Sequence, residues 1–311
     1  MRIGLVTPPE KVGQYTLAEL LQQIEQAEAD GFASYWLVQL PLAGQDVLTA
    51  IALAGSRTSR IELGTAVISV YSRHPLTLAQ QALSTQAATG GRFTLGVGLS
   101  HKPVVEAVMG LSYNQPARYM REYLSILSPL VNQQPVQFTG ESLQVQAQLH
   151  VADAAPVPVL IAALAPMMLR LAGELAGGTV TWMAGIRTIA EHVAPRISAA
   201  ANAAGRPAPR ICVGLPVAVT DDETQTREQI SQTLLRYGQL ANYRRMLDIE
   251  GADGPGDVAL VGNEDAVTAQ LHALAAAGAT DLAAAIFADD EDSDSAQRTR
   301  ALLRSLQNKI I

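Results

Sequence analysis

Tyr71, Arg73 and His74 arrive together, a phenol, a fixed cation and an imidazole that titrates near neutrality. They follow the short apolar run Leu63 to Val70 and precede Pro75, whose fixed φ suits the first turn of a helix over Leu76 to Ala88. Strand, polar rim, helix is the arrangement of a loop that carries a site. The functional reading of Arg73 and His74 is recognition of a cofactor or substrate at that rim. The structural reading pairs Arg73 with a helix carboxylate and bonds His74 to the backbone ahead of Pro75. Tyr71 reads as a pocket wall rather than a proton donor.

Short apolar runs alternate with longer amphipathic ones along the rest of the chain. Strands are expected to begin at Arg2, Ser34, Ile61, Arg92, Val157, Thr179, Arg210 and Asp281, each followed by a helix. Leu17 to Ala29 carries a helical apolar stripe, with Thr16 a candidate N-cap and Asp30-Gly31 the stop. The rhythm breaks after the fourth strand. Two helices in succession, Pro103 to Met109 and Pro116 to Val131, precede a Gln-rich segment between Pro135 and Pro156 whose alternation and central glycine suggest a small hairpin. Gly251 to Asp257 (GADGPGD) reads as a mobile loop. Strands apolar on both faces and joined by helices require a parallel sheet covered by helices, and eight such units at this length make a (β/α)8 barrel. The chain is expected to be one domain over residues 1–311, with an inserted segment at about 101–156. The competing doubly wound sheet wants a dinucleotide fingerprint, and Gly96-Val97-Gly98 lacks the third glycine, His101 standing there.

Composition narrows the partners. The chain has 311 residues, 48% hydrophobic and 16% charged, enough for a large core. A net charge of −7 without a Lys/Arg cluster argues against nucleic acid. Cys212, the one cysteine, leaves no internal disulfide or Cys-based metal site and reads as a small buried hydrophobe. Glu25, Glu28, Asp30 and the Asp289-Asp290 pair read as surface carboxylates, and no metal constellation is expected among them. The N-terminus turns polar too soon for a signal sequence, and no apolar run is long enough to span a membrane. The expectation is a cytoplasmic protein with a small-molecule partner, and apolar helices such as Leu76 to Ala88 make a homodimer plausible.

Three stretches carry a resemblance: GFASYWLVQ, then IELGTAVISVYSRHPLTLAQQALSTQAATGGRFTLGVGLSH, then LIAALAPMMLRLAGELAGGTVTW. In this order, with a segment inserted between the fourth and fifth strands, they resemble the luciferase-like flavin and deazaflavin oxidoreductases, most closely the branch that uses coenzyme F420; the other branch uses FMN. The resemblance implies a (β/α)8 barrel of the bacterial luciferase type. It also implies a non-prolyl cis peptide within strand three beneath the central flavin ring, which falls on Ala66–Val67.

In a barrel the site is built from the loops after the strands. The resemblance implies that the turn Leu99-Ser100-His101 approaches the ring edge. His101 replaces a carboxylate that serves as acid in related enzymes, and its pKa lets it give or take a proton; a purely structural His101 is the alternative. The turn Ala163-Leu164-Ala165 leads through Pro166 and Met167 into a helix, whose free N–H groups suit the ribityl-phosphate part of the cofactor. Trp182, Met183 and Gly185 are expected along the same side chain, while Arg187 either reaches the phosphate or polyglutamate tail or is a solvated arginine at a helix start. Gln39-Leu40 stands where sugar-phosphate and methanogenic relatives carry an Asp-His pair. With Tyr71, Arg73 and His74, Gln39 would then line a pocket for a neutral or hydrophobic substrate. The function expected is hydride transfer with coenzyme F420. An FMN-dependent monooxygenase and a flavin-binding barrel without turnover are the alternatives.

Overall fold

Several helix starts follow directly from local side-chain chemistry. Thr16 accepts from Glu19 N while the Glu19 carboxylate accepts from Thr16 N, a complete capping box. Asp46, Asn263 and Ser293 each accept from the backbone N–H three residues on. The computed structural model describes residues 1–288 and 293–310. The Asp289-Asp290 pair, and most of the loop expected after the last strand, lie outside the described residues.

The strands, in chain order, are β1 (Arg2–Val6), β2 (Ser34–Leu37), β3 (Glu62–Thr65), β4 (Ile68–Ser69), β5 (Phe93–Gly98), β6 (Val136–Thr139), β7 (Gln144–Ala147), β8 (Val159–Ile161), β9 (Gly178–Trp182), β10 (Arg210–Val219), β11 (Leu260–Gly262) and β12 (Asp281–Ile286). The helices are α1 (Leu17–Ala29), α2 (Val47–Arg57), α3 (Pro75–Ala88), α4 (Pro116–Val131), α5 (Pro166–Leu175), α6 (Ile186–Thr188), α7 (Ala194–Ala203), α8 (Glu223–Thr233), α9 (Leu235–Gln239), α10 (Ala241–Glu250), α11 (Glu264–Ala276) and α12 (Asp294–Ser305). Single π-helical turns occur at Val104–Val108 and Ile189–Val193.

Parallel pairing runs β1–β2–β3–β5–β8–β9–β10–β12 and returns to β1, closing the sheet on itself. Among the described residues this is the eight-stranded barrel expected, with helices between the strands. The third strand is interrupted: the Ala66–Val67 peptide is cis, and β4 continues beyond it, pairing with the end of β5 (Ile68 opposite Val97, Ser69 opposite Gly98). The inserted segment holds the hairpin β6–β7, as the alternation of apolar and polar residues suggests.

One expectation fails after the seventh strand, and one strand is added. Gly251 to Asp257 is a packed turn, not a mobile loop. Arg227 donates to Gly256 O and Ala259 O, Arg244 donates to Ala252 O and Asp253 O, and Ala252, Pro255 and Gly256 are buried. A glycine-rich sequence permits mobility, but two guanidiniums from the preceding helices α8 and α10 tie down its carbonyls. This turn delivers β11, a strand too short to show in the sequence, which pairs with Val217–Val219 outside the eight-strand closure.

The barrel interior is filled from one end to the other. At the N-terminal end of the strands, Arg210 spans Glu62 (2.6 Å) and Asp281 (2.8 Å), and Arg2 joins both. Above it lie Trp36, fully buried with the Arg210 guanidinium 5.5 Å from its ring centre, and Val6, Leu160, Val180, Cys212, Ala283 and Ala285. Gly64 leaves room for that indole, since a Cβ there would lie 2.2 Å from it. Val38, Ala66, Val67 and Trp182 pack on this cluster and are only partly buried. They are the floor of the opposite, C-terminal mouth.

Candidate active site

Ala66 and Val67 sit in that floor because Gly96 and Gly98 of the neighbouring strand lack side chains. A Cβ at Gly96 would meet Thr65 O at 2.0 Å, and one at Gly98 would meet Val67 Cγ2 at 2.6 Å. Thr65 Oγ1 adds reciprocal 2.8 Å bonds with Gly96 O and N, locking the interrupted strand to β5. Across the floor, the Trp182 Nε1 is buried without a hydrogen-bond partner among the described residues. A buried donor left unsatisfied costs about 1–3 kcal/mol. An apolar floor with one spare donor suits a flat ring that carries acceptors, so the residues present fit a flavin or deazaflavin.

The turn after β5 delivers Leu99, Ser100 and His101. Ser100 adopts φ 58°, as does Met183 after β9 at φ 54°, both in the left-handed region that side-chain-bearing residues rarely enter. His101 is half-buried, and burial lowers its pKa below 6.5. Its ring lies 5.8 Å from Tyr243, whose ring lies 5.6 Å from Tyr237, itself 6.3 Å from Trp182. Helices α9 and α10 thus lay two tyrosines over the mouth. Burial pushes the Tyr237 hydroxyl up to about 12. Glu10, in the turn after β1, faces Tyr237 and is itself raised by burial above 4.5.

On the other side, Tyr71 stacks on Tyr119 (4.7 Å, 5°) and tilts against Tyr113 (5.5 Å). Its hydroxyl, buried without a partner among the described residues, is raised to about 12, chiefly by burial. Arg73 forms an ion pair with Asp46, the N-cap of α2, and donates to Gln81 (3.1 Å). His74 is the N-cap of α3, its Nδ1 accepting from Leu76 N. Gln39 donates to Leu40 O and accepts from Val47 N. These three side chains are engaged in shaping the loops after strands two and three.

The turn after β8 holds Ala163, which is buried, then Leu164 and Ala165; Ala165 is the N-cap of α5 and offers no side-chain cap. Met167 is half exposed at the rim. Leu164 O accepts from His192 Nε2 at 2.7 Å. Met183 is fully buried beneath the mouth. Gly185 sits at the start of α6, where the Glu250 carboxylate accepts from Arg187 N (3.0 Å) and Thr188 N (2.7 Å), in the space a Cβ on Gly185 would fill. Arg187 pairs with Glu191 on the surface. Ala66, Val67 and Trp182 are therefore brought together in the floor, with His101 at the edge. Gly185 faces a carboxylate of the chain itself.

Sequence reasoning missed Glu10, Tyr113, Tyr119, His192, Tyr237 and Tyr243. Tyr113 lies in the loop before α4 and Tyr119 on α4, while Tyr237 and Tyr243 lie on α9 and α10, and no local pattern singles them out. No group of three or more His, Cys, Asp or Glu side chains among the described residues could hold a metal, and no described helix is long and apolar enough to cross a membrane.

The luciferase-like monooxygenase family matches residues 1–281, and the chain belongs to it. A putative coenzyme F420-dependent oxidoreductase of Mycobacterium tuberculosis, Rv3520c, is 29% identical over 71% of this chain and 67% of its own. Among solved structures, the coenzyme F420-dependent tetrahydromethanopterin reductase of Methanopyrus kandleri superposes with TM-score 0.76 at 18% identity, covering 100% of this chain and 99% of its own. The oxygenating constituent of 3,6-diketocamphane monooxygenase of Pseudomonas putida, in complex with FMN, gives 0.76 at 20%, covering 100% and 97%. The fold is thus shared by deazaflavin reductases and FMN monooxygenases, and the family supports an oxidoreductase or monooxygenase.

Proposed function

We propose that the chain uses coenzyme F420 to transfer a hydride to or from a neutral or hydrophobic small organic molecule, with His101 handling the accompanying proton. The observation that carries this reading is the floor of Val38, Ala66, Val67 and Trp182, apolar with one unpartnered N–H, linked through the rings of Tyr237 and Tyr243 to a half-buried imidazole. The similarity to a putative F420-dependent oxidoreductase supports the deazaflavin. When bound, that cofactor supplies or accepts the hydride.

The chain's own residues bind, cover and move the proton. Ala66 and Val67 offer an apolar surface to a ring face, with Leu99 and Ser100 at its edge, and the Trp182 N–H is available to a ring acceptor. The turn Ala163-Leu164-Ala165 with Met167, and Trp182, belong to the side that takes the rest of the cofactor, while Met183 supports it from beneath and Gly185 makes room for Glu250. Tyr237 and Tyr243 exclude water above. His101, kept neutral by burial, takes a proton when a substrate alcohol is oxidised and returns it when a carbonyl is reduced. The nearby cations are already paired, Arg73 with Asp46 and Lys102 with Glu106, which favours an uncharged substrate beside Gln39, Tyr71, Arg73 and His74. We place the protein in the cytoplasm, as a monomer or homodimer acting on small molecules.

The test is a titration of the purified chain with coenzyme F420 and with FMN, following ring fluorescence. Micromolar binding of F420 is expected, and turnover with a panel of enones, imines and secondary alcohols. Micromolar binding of FMN with none of F420 overturns the reading in favour of an FMN-dependent monooxygenase, the alternative that the FMN-bound structural neighbour supports. Binding of F420 without any turnover would point to a cofactor-binding barrel.

A further inference from the structure

We infer that Tyr243 is a positioning residue for His101, its ring packing across the mouth to hold the imidazole in the orientation and dry surroundings that proton transfer needs. This rests on the proposed function, which gives His101 the proton.

A histidine that moves a proton at one ring nitrogen is usually aimed by a hydrogen bond at the other. Among the described residues the His101 imidazole makes no hydrogen bond or ion pair, and its neighbours Lys102 and Glu106 pair with each other at 3.9 Å. The backbone beneath it is fixed. Ser100 holds φ 58°, and His101 O accepts from Val104 N at 2.9 Å and from Val105 N at 3.0 Å. What remains free is rotation of the side chain, and the Tyr243 ring stands against it, 5.8 Å away with the planes inclined at 57°. Tyr243 is itself well seated, near the start of α10. Tyr237 meets its ring edge-on at 5.6 Å and 75°, with Trp182 behind Tyr237 at 6.3 Å. Farther along α10, Met246 and Leu247 are buried, and Thr188 Oγ1 donates to Met246 O at 3.1 Å. At its end the Glu250 carboxylate accepts from Arg187 N and Thr188 N of α6. The ring that meets His101 is thus anchored by units of the barrel other than the one that carries His101. Burial raises the Tyr243 hydroxyl, so the ring is a neutral packing surface and not a second proton donor. Desolvation alone lowers His101. Lys102 and Glu106 on its own segment, Tyr237, Arg244 and Arg245 on α9 and α10, and Glu10 after β1 add no charge term to it.

The experiment follows the imidazole by NMR in the chain without cofactor, and turnover in the chain with coenzyme F420. The His101 ring resonances, assigned by their loss in His101→Gln, are titrated in the wild type, Tyr243→Ala and Tyr243→Phe. In Tyr243→Ala water reaches the imidazole, so its pKa is expected to climb toward 6.5, and the limb of the pH–rate profile with it. There kcat should fall about tenfold through lost orientation while F420 affinity stays within about twofold. Tyr243→Phe, which keeps the ring, recovers the wild-type titration and rate. An unchanged titration and kcat in Tyr243→Ala overturns the role. So does a Tyr243→Phe that behaves like Tyr243→Ala, since the effect would then belong to the hydroxyl. Nuclear Overhauser contacts between the two rings are read in the wild type, whatever the variants do to folding, and their absence overturns the role as well. Titration and ring contact need no cofactor. A wild type that shows both but neither binds F420 nor turns over would overturn the proposed function and leave the positioning of His101 by Tyr243 standing.

Discussion

At the scale of single residues, two half-buried titratable groups at the mouth are displaced in ways that favour their neutral forms. Burial lowers the His101 pKa below 6.5, so at pH 7 the imidazole is uncharged and can accept a proton. Turnover in the oxidative direction should rise with pH through that lowered value and level off above it. His101→Ala should reduce turnover by about a hundredfold or more while F420 affinity stays within about twofold, as expected for loss of a proton-transfer group. Steady-state rates and a binding titration check this; equal loss of rate and affinity would remove His101 from the role. Glu10 is raised above its ordinary 4.5, again chiefly by burial. A carboxyl whose folded pKa exceeds the unfolded value adds stability below 4.5 that is lost as pH climbs through the raised value. Glu10→Gln should therefore melt a few degrees higher than wild type at pH 7 and near the wild-type temperature at pH 4, as measured by calorimetry.

At the scale of elements, close approaches decide what each position tolerates. Gly64 in β3 lies under the Trp36 indole, with only 2.2 Å available to a Cβ, and the indole is fully buried. Gly64→Ala should cost about 1–3 kcal/mol in urea denaturation, the usual cost of overpacking a filled core. Gly185 leaves the space in which the Glu250 carboxylate caps α6 and ties α10 to it. Gly185→Ala should dislodge that carboxylate. Hydrogen exchange of residues 241–250 should accelerate while the barrel strands keep their protection; unchanged exchange there would show that α10 is held by other contacts.

At the scale of the whole molecule, the barrel separates stability from chemistry by its two ends. The N-terminal end is plugged by Arg2, Glu62, Arg210 and Asp281, and the C-terminal end carries the candidate site. Burial alone would raise the Asp281 carboxyl, but the hydrogen bonds and charge of Arg210, with Thr280 and Arg2, hold it below 3.8. The stability this contributes is present above pH 3.8 and disappears as pH falls through the lowered value. Asp281→Asn, which leaves Arg210 short of a buried partner, should cost about 3–5 kcal/mol at pH 7 and less at pH 3, read from denaturation midpoints. Cofactor affinity at the far end of the barrel should be unaffected.

The sequence by itself determined the barrel, because apolar runs that must be buried on both faces and alternate with amphipathic helices close in very few ways. It also located the floor: the segment from Leu63 to Val70 was assigned its interruption at Ala66–Val67 by resemblance, and the structure has it there. Only the tertiary structure decided which rim side chains are free. Arg73 and His74 look reactive in sequence, yet Asp46, 27 residues away along the chain, and the start of α3 engage them. Tyr237, Tyr243, Glu10 and His192 carry no local pattern, since each acquires its meaning from a partner on another unit of the barrel. The GADGPGD turn is fixed within its own unit, by Arg227 and Arg244 on the helices that precede it. Local periodicity reports which face is buried, but a hydrogen bond or ring contact between distant segments forms only when the closed barrel brings their ends together.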